Sequence, residues 1–345
     1  MVPVHPIPHG ASCWSSSRLV PNNKGRRLFF ALIYNSLLSM DDYSKSLFEQ
    51  VEQRRLGETE CQELFICIVF VVTLLLIYVM FTFKFGTQPV EVHGKIFIRQ
   101  DGSVVPSTAP IEREGDVYVF TGDIINKSIV VERSNVEIDG AEHKLQGFGI
   151  LNGSGFDLNN VKGVTVKRVK ISKFYWSVHM HLCSCCALLE NEMSNNAYGI
   201  YPNWSNNSII AGNNIMNNEG GGIYLTNSFN FSVEGNVVAF NRFYGIRLTN
   251  SDNCTVTENV IADNRGNGIH MVLSSNNVVY HNNFVNNTKQ AYIEGNVHNV
   301  WDDGYPSGGN YWSDYAGEDA NDDDIGDTPY AIDENNGDRY PIIEP

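Results

Sequence analysis

A period of 23 residues between residues 195 and 292 constrains this chain more than any other feature. Gly199, Gly222, Gly245 and Gly268 stand 23 apart, with Ala291 at the next step, and Ile200, Ile223, Ile246 and Ile269 follow in the same frame, closed by Tyr292. Asn195, Asn218, Asn241, Asn264 and Asn287 form a third ladder; Asn207, Asn230, Asn253 and Asn276 form a fourth. Ile210, Val233, Val256 and Val279 make a fifth, followed three residues later by Asn213, Asn236, Asn259 and Asn282. Each unit offers only short β-branched runs such as Thr255-Val256-Thr257, bounded by turn residues, which suits strands of a few residues and not helices. A unit this small cannot bury its apolar positions alone, whereas stacking equivalent units puts Ile on Ile and Val on Val in a continuous interior. Every unit runs the same way, so the stack is parallel, with about 4.8 Å per coil. Asn suits the corners because it tolerates the left-handed conformation and its amide can bond the same amide one coil away. Gly allows close backbone approach at the other bend. Leucine-rich repeats have units of similar length but need leucines at fixed offsets, which are missing here. The expected fold is all-β: a right-handed parallel β-helix.

Upstream the period loosens. Ser177-Val178 matches Gly199-Ile200 at a spacing of 22, and Val164 precedes Ala187 by 23. Residues 128–147 read as short strands joined by corners at Asn135 and Asp139-Gly140. The solenoid is therefore expected over 96–296, with seven to nine coils. Its open ends need caps, and residues 297–345, rich in Trp, Tyr, Gly and Asp, are placed to close one. That tail also carries most of the charge: of a formal −15, the 13 acids and one Arg after residue 295 account for −12. An acidic chain of this kind is not expected to bind nucleic acid.

Residues 64–83, LFICIVFVVTLLLIYVMFTF, contain no charge over 20 positions, about the length that crosses the roughly 30 Å hydrocarbon core. Arg54, Arg55 and further basic residues precede the segment and only Lys84 follows it, so residues 1–63 are expected in the cytoplasm. The remainder would stand outside a cell membrane crossed once, beyond a stalk at 84–95. The core of a signal peptide is the alternative, although such cores are shorter and no A-x-A-like site follows. A start at Met40 would leave a conventional short lead. The seven cysteines show no disulfide framework and leave the redox compartment open.

The units NNSIIAGNNIMNN, NFSVEGNVVAFN and NCTVTENVIADN, with NVEIDGAEHKLQG upstream, resemble the NosD-like right-handed β-helix proteins, also grouped as carbohydrate-binding proteins and sugar hydrolases. The segment IRQDGSVVPSTAPI and the tail NVWDDGYPSGGNYWSDY, DIGDTPYAID and DRYPI are most similar to archaeal surface proteins of this type. The resemblance spans roughly residues 96–345. It implies the fold, export and a cell-surface setting, and the family name adds a periplasmic copper-binding role.

Four constellations bear on chemistry. The outward position after the Ile ladder runs Tyr201, Tyr224, Arg247, His270, Ile293; aromatic faces and an Arg fork at coil spacing can line a groove for a polysaccharide or cell-envelope glycan. No carboxylate falls in that row, and no Asn-x-Asp, Gly-His-Gly or Arg-x-Lys strand accompanies the regular coils. The expectation is accordingly a non-catalytic binding, adhesion or envelope protein, with a polysaccharide lyase or glycoside hydrolase as the alternative. His179, His181 and Cys183 alternate along a strand and would suit copper or zinc. Asp319, Asn321, Asp323 and Asp327 have the spacing of a calcium loop, although Asp324 stands where Gly is usual and Tyr330 where Glu is usual. Glycosylation sequons occur at Asn126, Asn152, Asn203, Asn206, Asn230, Asn253 and Asn286.

Overall fold

The computed structural model describes residues 94–344 apart from Asn152. The expected cytoplasmic lead, membrane helix at 64–83 and most of the stalk lie outside the described residues. Among those residues no helix is long and apolar enough to cross a membrane.

The described chain is a parallel β-helix of the right-handed type, with about 8 coils. Each coil contributes one strand to each of three sheets, which form the faces of a prism. Face one runs from Lys95–Ile98 to Lys289–Glu294, face two from Val117–Phe120 to Val278–Tyr280, and face three from Ile124–Ile125 to Tyr311–Trp312. Alternate residues of every strand point inward, so Ile200, Ile223, Ile246 and Ile269 line the interior of face one at 0% exposure. Ile210, Val233, Val256 and Val279 do the same on face two, and Ile215, Val238, Ile261 and Phe284 on face three. Each such side chain contributes roughly 1.5–3 kcal/mol of burial.

From residue 156 onward the coils of face one are 22 residues long up to Ile200, 23 from there to Ile269 and 22 again at the last step, and this corrects three expected alignments. Val178 pairs with Ile200 and Ile200 with Ile223, but Ile269 pairs with Ala291, not Tyr292, because the last coil is one residue shorter. Thr165, not Val164, lies opposite Ala187. The amide ladder beginning at Asn218 continues upstream through Asn196, 22 residues away, and not through Asn195, which turns outward with φ 58°.

Asn plays two separate parts. Asn207, Asn230, Asn253 and Asn276 are corner residues with φ between 49° and 57°, where the short amide side chain makes the left-handed backbone tolerable. Asn213, Asn236, Asn259 and Asn282 are instead buried, and the Nδ2 of each donates to the Oδ1 of the next at 2.8–2.9 Å. The ladder extends to Asn191 at one end and to Asn310 and Asp338 at the other.

Both ends are closed. Val104–Val105 runs antiparallel to Lys95–Ile98, and the hairpin of Ile111–Glu114 with Val117–Phe120 starts face two. At the other end Trp312 stacks on Phe284 at 4.5 Å and Tyr330 on Trp312 at 4.3 Å, while Trp301 and Trp312 are each 1% exposed.

Candidate ligand-binding face

Face one holds the outward residues singled out from the sequence, and strict register sets them side by side. Val178 on Ile200 and Ile246 on Ile269 fix the interior, so the residue following each points out at the same height. The resulting row is Asp157, His179, Tyr201, Tyr224, Arg247, His270, Tyr292, one per coil. Tyr201, Tyr224, Arg247 and His270 therefore stand side by side. The residue that follows His270 in the row is Tyr292 and not Ile293, as the short last coil requires.

The row is flanked by aromatics. Trp176 stacks on Tyr201 with centroids 4.3 Å apart and planes at 16°, and on Tyr198 at 4.6 Å. Tyr201 and Tyr224 are 5.4 Å apart. The Arg247 guanidinium lies 5.0 Å from the Tyr224 centroid and 5.6 Å from that of Tyr244. Lys289 Nζ sits 4.6 Å from the centre of the Tyr292 ring.

Burial pushes the Tyr198, Tyr201 and Tyr244 phenols above their ordinary value, so they remain neutral donors. His270 is held below the usual imidazole range by burial and by the Arg247 charge, which outweigh its 3.0 Å contact with Glu294. Asp157 at the opposite end lies below the carboxylate range because His179 hydrogen-bonds to it. Asp157 and Glu294 are the only carboxylates on the face-one strands from Ser154–Asn159 to Lys289–Glu294. Six strand steps, about 29 Å at sheet spacing, separate their strands.

Trp176, His179, Tyr198, Tyr244 and Lys289 were not in the row read from the sequence. A 22-residue step back from Tyr201 and Tyr198 leads to His179 and Trp176, so these two were within reach of the pattern. Tyr244 and Lys289 enter only through side-chain packing across the face.

The metal-ligand readings meet different geometry. His179 and His181 do share the outward side, with ring centroids 6.3 Å apart. Leu182 turns the corner with φ 54°, which breaks the alternation and sends Cys183 inward. There its Sγ donates to the carbonyls of Leu158 and His181. Cys186 is similarly buried, and both cysteine N–H groups donate to serine hydroxyls of the next coil, Ser205 and Ser208. His179, His181 and Cys183 therefore do not converge on one point, and these three do not fit a copper centre. Among the described residues no group of three or more His, Cys, Asp or Glu side chains is placed to hold a metal ion.

In the acidic loop, Asp319 accepts N–H bonds from Asp322, Asp323 and Asp324; Asp323 accepts from Ile325 and from Asn321 Nδ2, and Asp327 from Ala320. The carboxylates thus brace the loop's own backbone. A hollow of about 560 Å³ lies nearby among His298, Asp302, Asp333 and Arg339, where Asp302 is paired with Arg339 and Asp333 accepts the N–H groups of Asn335 and Asn336.

Fold and face together define a class: a parallel β-helical solenoid that keeps one outward sheet aromatic and poor in carboxylates. Residues 116–317, more than half of the chain, match the family described as periplasmic copper-binding protein (NosD), and the chain belongs to that family. No curated protein matches it. Among solved structures, a double mutant of the periplasmic alginate epimerase AlgG is similar at 15% identity and a TM-score of 0.38, covering 58% of this chain and 72% of the other. The catalytic domain of a GH87 α-1,3-glucanase in complex with nigerose is similar at 15% identity and 0.28, covering 51% and 46%. At these scores the likeness extends to neither substrate nor mechanism.

Proposed function

We propose that face one binds an extended glycan chain and that the protein presents it outside the cytoplasm. The observation that carries this reading is the unbroken row Tyr201, Tyr224, Arg247, His270, Tyr292, widened by Trp176, Tyr198 and Tyr244. A ribbon of rings packed side by side offers continuous apolar surface to sugar rings, and phenolic tips can hydrogen-bond hydroxyls. Strands about 4.8 Å apart repeat these contacts along a line, which suits a polymer better than a compact ligand. Export is supported by the periplasmic description of the family and by the apolar stretch 64–83 with basic residues ahead of it.

Binding is favoured over hydrolysis because glycosidases place two carboxyl groups roughly 5–9.5 Å apart. The two carboxylates of face one stand at opposite ends of the row. Screening the full chain on a glycan array, with parallel detection of released oligosaccharides, tests the reading. We expect retention of a polysaccharide without shortened products. Tyr201→Ala and Tyr224→Ala should each weaken binding about three- to ten-fold, at about 0.5–1.5 kcal/mol per aromatic contact. Failure to retain any glycan, or retention unaffected by both substitutions, would rule it out.

A further inference from the structure

Arg247 stands apart from the other arginines. Arg99, Arg133, Arg168, Arg242 and Arg339 each pair with a carboxylate. Arg247, like Arg113 and Arg265, has no such partner among the described residues, and of these three it is the one that sits in the middle of the aromatic row. Its Nε is buried without a hydrogen-bond acceptor, and so is Thr249 Oγ1 two residues along the same strand. A guanidinium without a carboxylate beside it is left short of charge-assisted acceptors, and Arg247, half-buried as a residue, is open to one brought by a ligand.

The surroundings select the sign and position of that acceptor. On a chain of net charge −15, the face-one strands from Trp176–His181 to Lys289–Glu294 carry only Arg247, Lys289 and Glu294 as formal charges. Glu294 is engaged with His270 at 3.0 Å. Two cations therefore face outward against a single carboxylate, Glu294, which lies two strands away from Arg247. Tyr224 is in direct register with Arg247, one strand away. An anion meeting the guanidinium is thus one carried on, or next to, the sugar ring that lies over Tyr224. A planar carboxylate matches the guanidinium fork with two parallel N–H···O bonds.

We propose that Arg247 forms a carboxylate subsite, and that the glycan of face one is an acidic polymer containing uronic acid residues. This rests on the reading of face one as a glycan site and names the substrate class. Lys289, two coils further on beside Tyr292, supplies a second cation for a later residue of the same chain.

The test uses the full chain and three size-matched probes: an oligogalacturonate, the same oligomer with its carboxyl groups reduced to alcohols, and a sulfated neutral oligomer. Titration calorimetry at low ionic strength should show the uronate binding about ten-fold more tightly than its reduced counterpart, the scale of one charge-assisted pair. Arg247→Gln should weaken binding of the uronate about ten-fold more than binding of the reduced oligomer, with an unaltered melting temperature showing that the coil is intact. Tyr201→Ala should weaken both. Equal affinity for the two oligomers, a preference undiminished by Arg247→Gln, or stronger binding of the sulfated probe overturns the carboxylate subsite and leaves the glycan face standing. Binding of none of the three overturns both.

Discussion

Asn236, at the centre of the buried amide ladder, shows what one side chain does in this fold. Its Oδ1 accepts from the backbone N–H and the Nδ2 of Asn213, and its Nδ2 donates to the Ile210 carbonyl and to Asn259 Oδ1. Alanine there strands at least one buried N–H and one carbonyl, each costing about 1–3 kcal/mol. Asn236→Ala should accordingly lower stability by about 2–4 kcal/mol in urea unfolding. Asn207→Ala, at an exposed corner with φ 49°, should cost only the left-handed strain of about 1–2 kcal/mol. Equal losses at the two positions would show that the buried amides do not hold the coils. Both asparagines repeat at the same interval, so periodicity reveals that they matter and not which one is inside. The same limit applies to Cys183. Alternation placed it with His179 and His181, but a single left-handed residue, Leu182, reverses its direction.

At the scale of the strand and its turn, the glycine column marks where adjacent coils come closest. A Cβ on Gly222 would meet Val238 Cγ1 at 2.4 Å and the Gly245 carbonyl at 2.7 Å, both on atoms with nowhere to retreat. Gly235, by contrast, has φ 61° and open space around it. Gly222→Ala should therefore lower the melting temperature markedly, by an overpacking cost of about 1–3 kcal/mol or more. Gly235→Ala should show only a backbone penalty of about 1–2 kcal/mol. A milder effect at Gly222 than at Gly235 would contradict close approach as the reason for the column. The column itself was legible because only glycine satisfies that spacing. The one-residue shortening of the last coil was not, since a corner absorbs a deletion without altering the hydrophobic pattern on either side. That shift moved the end of the outward row from Ile293 to Tyr292.

For the whole molecule, the decisive problem is how a stack of identical hydrogen-bonding units ends. The last amide of the ladder, Asn310, offers its backbone N–H and Nδ2 where no further coil exists. Asp338 Oδ2 accepts both, together with Trp312 Nε1, and Asp338 Oδ1 accepts the Tyr340 N–H. A carboxylate suits this place because it accepts only and leaves no donor of its own unpaired. Burial nevertheless raises its pKa from 3.8 to about 6, against the pull of those hydrogen bonds. A carboxyl whose folded-state pKa is raised adds stability that is complete below about 3.8 and is lost as pH rises through about 6. Asp302 acts in the opposite sense: burial pushes it up, but the Arg339 bonds outweigh this and hold it below 3.8, so its contribution is lost as pH falls. Melting wild type and Asp338→Asn in parallel between pH 4 and 7 should show a difference that changes across this window. A constant offset would mean that Asp338 does not titrate there.

The sequence by itself determined the architecture of the coils, because a 23-residue unit with a few β-branched positions can satisfy its apolar surface only by stacking on copies of itself. It also located most of the outward row, since parallel register converts equal spacing into adjacency. Tertiary structure alone decided which polar residues turn inward, how the ladders end on Asp338, and that Arg247 lies between two tyrosines without a carboxylate. Those outcomes depend on single φ angles and on contacts between residues far apart in the chain. A repeat pattern, which records spacing along the backbone, does not encode them.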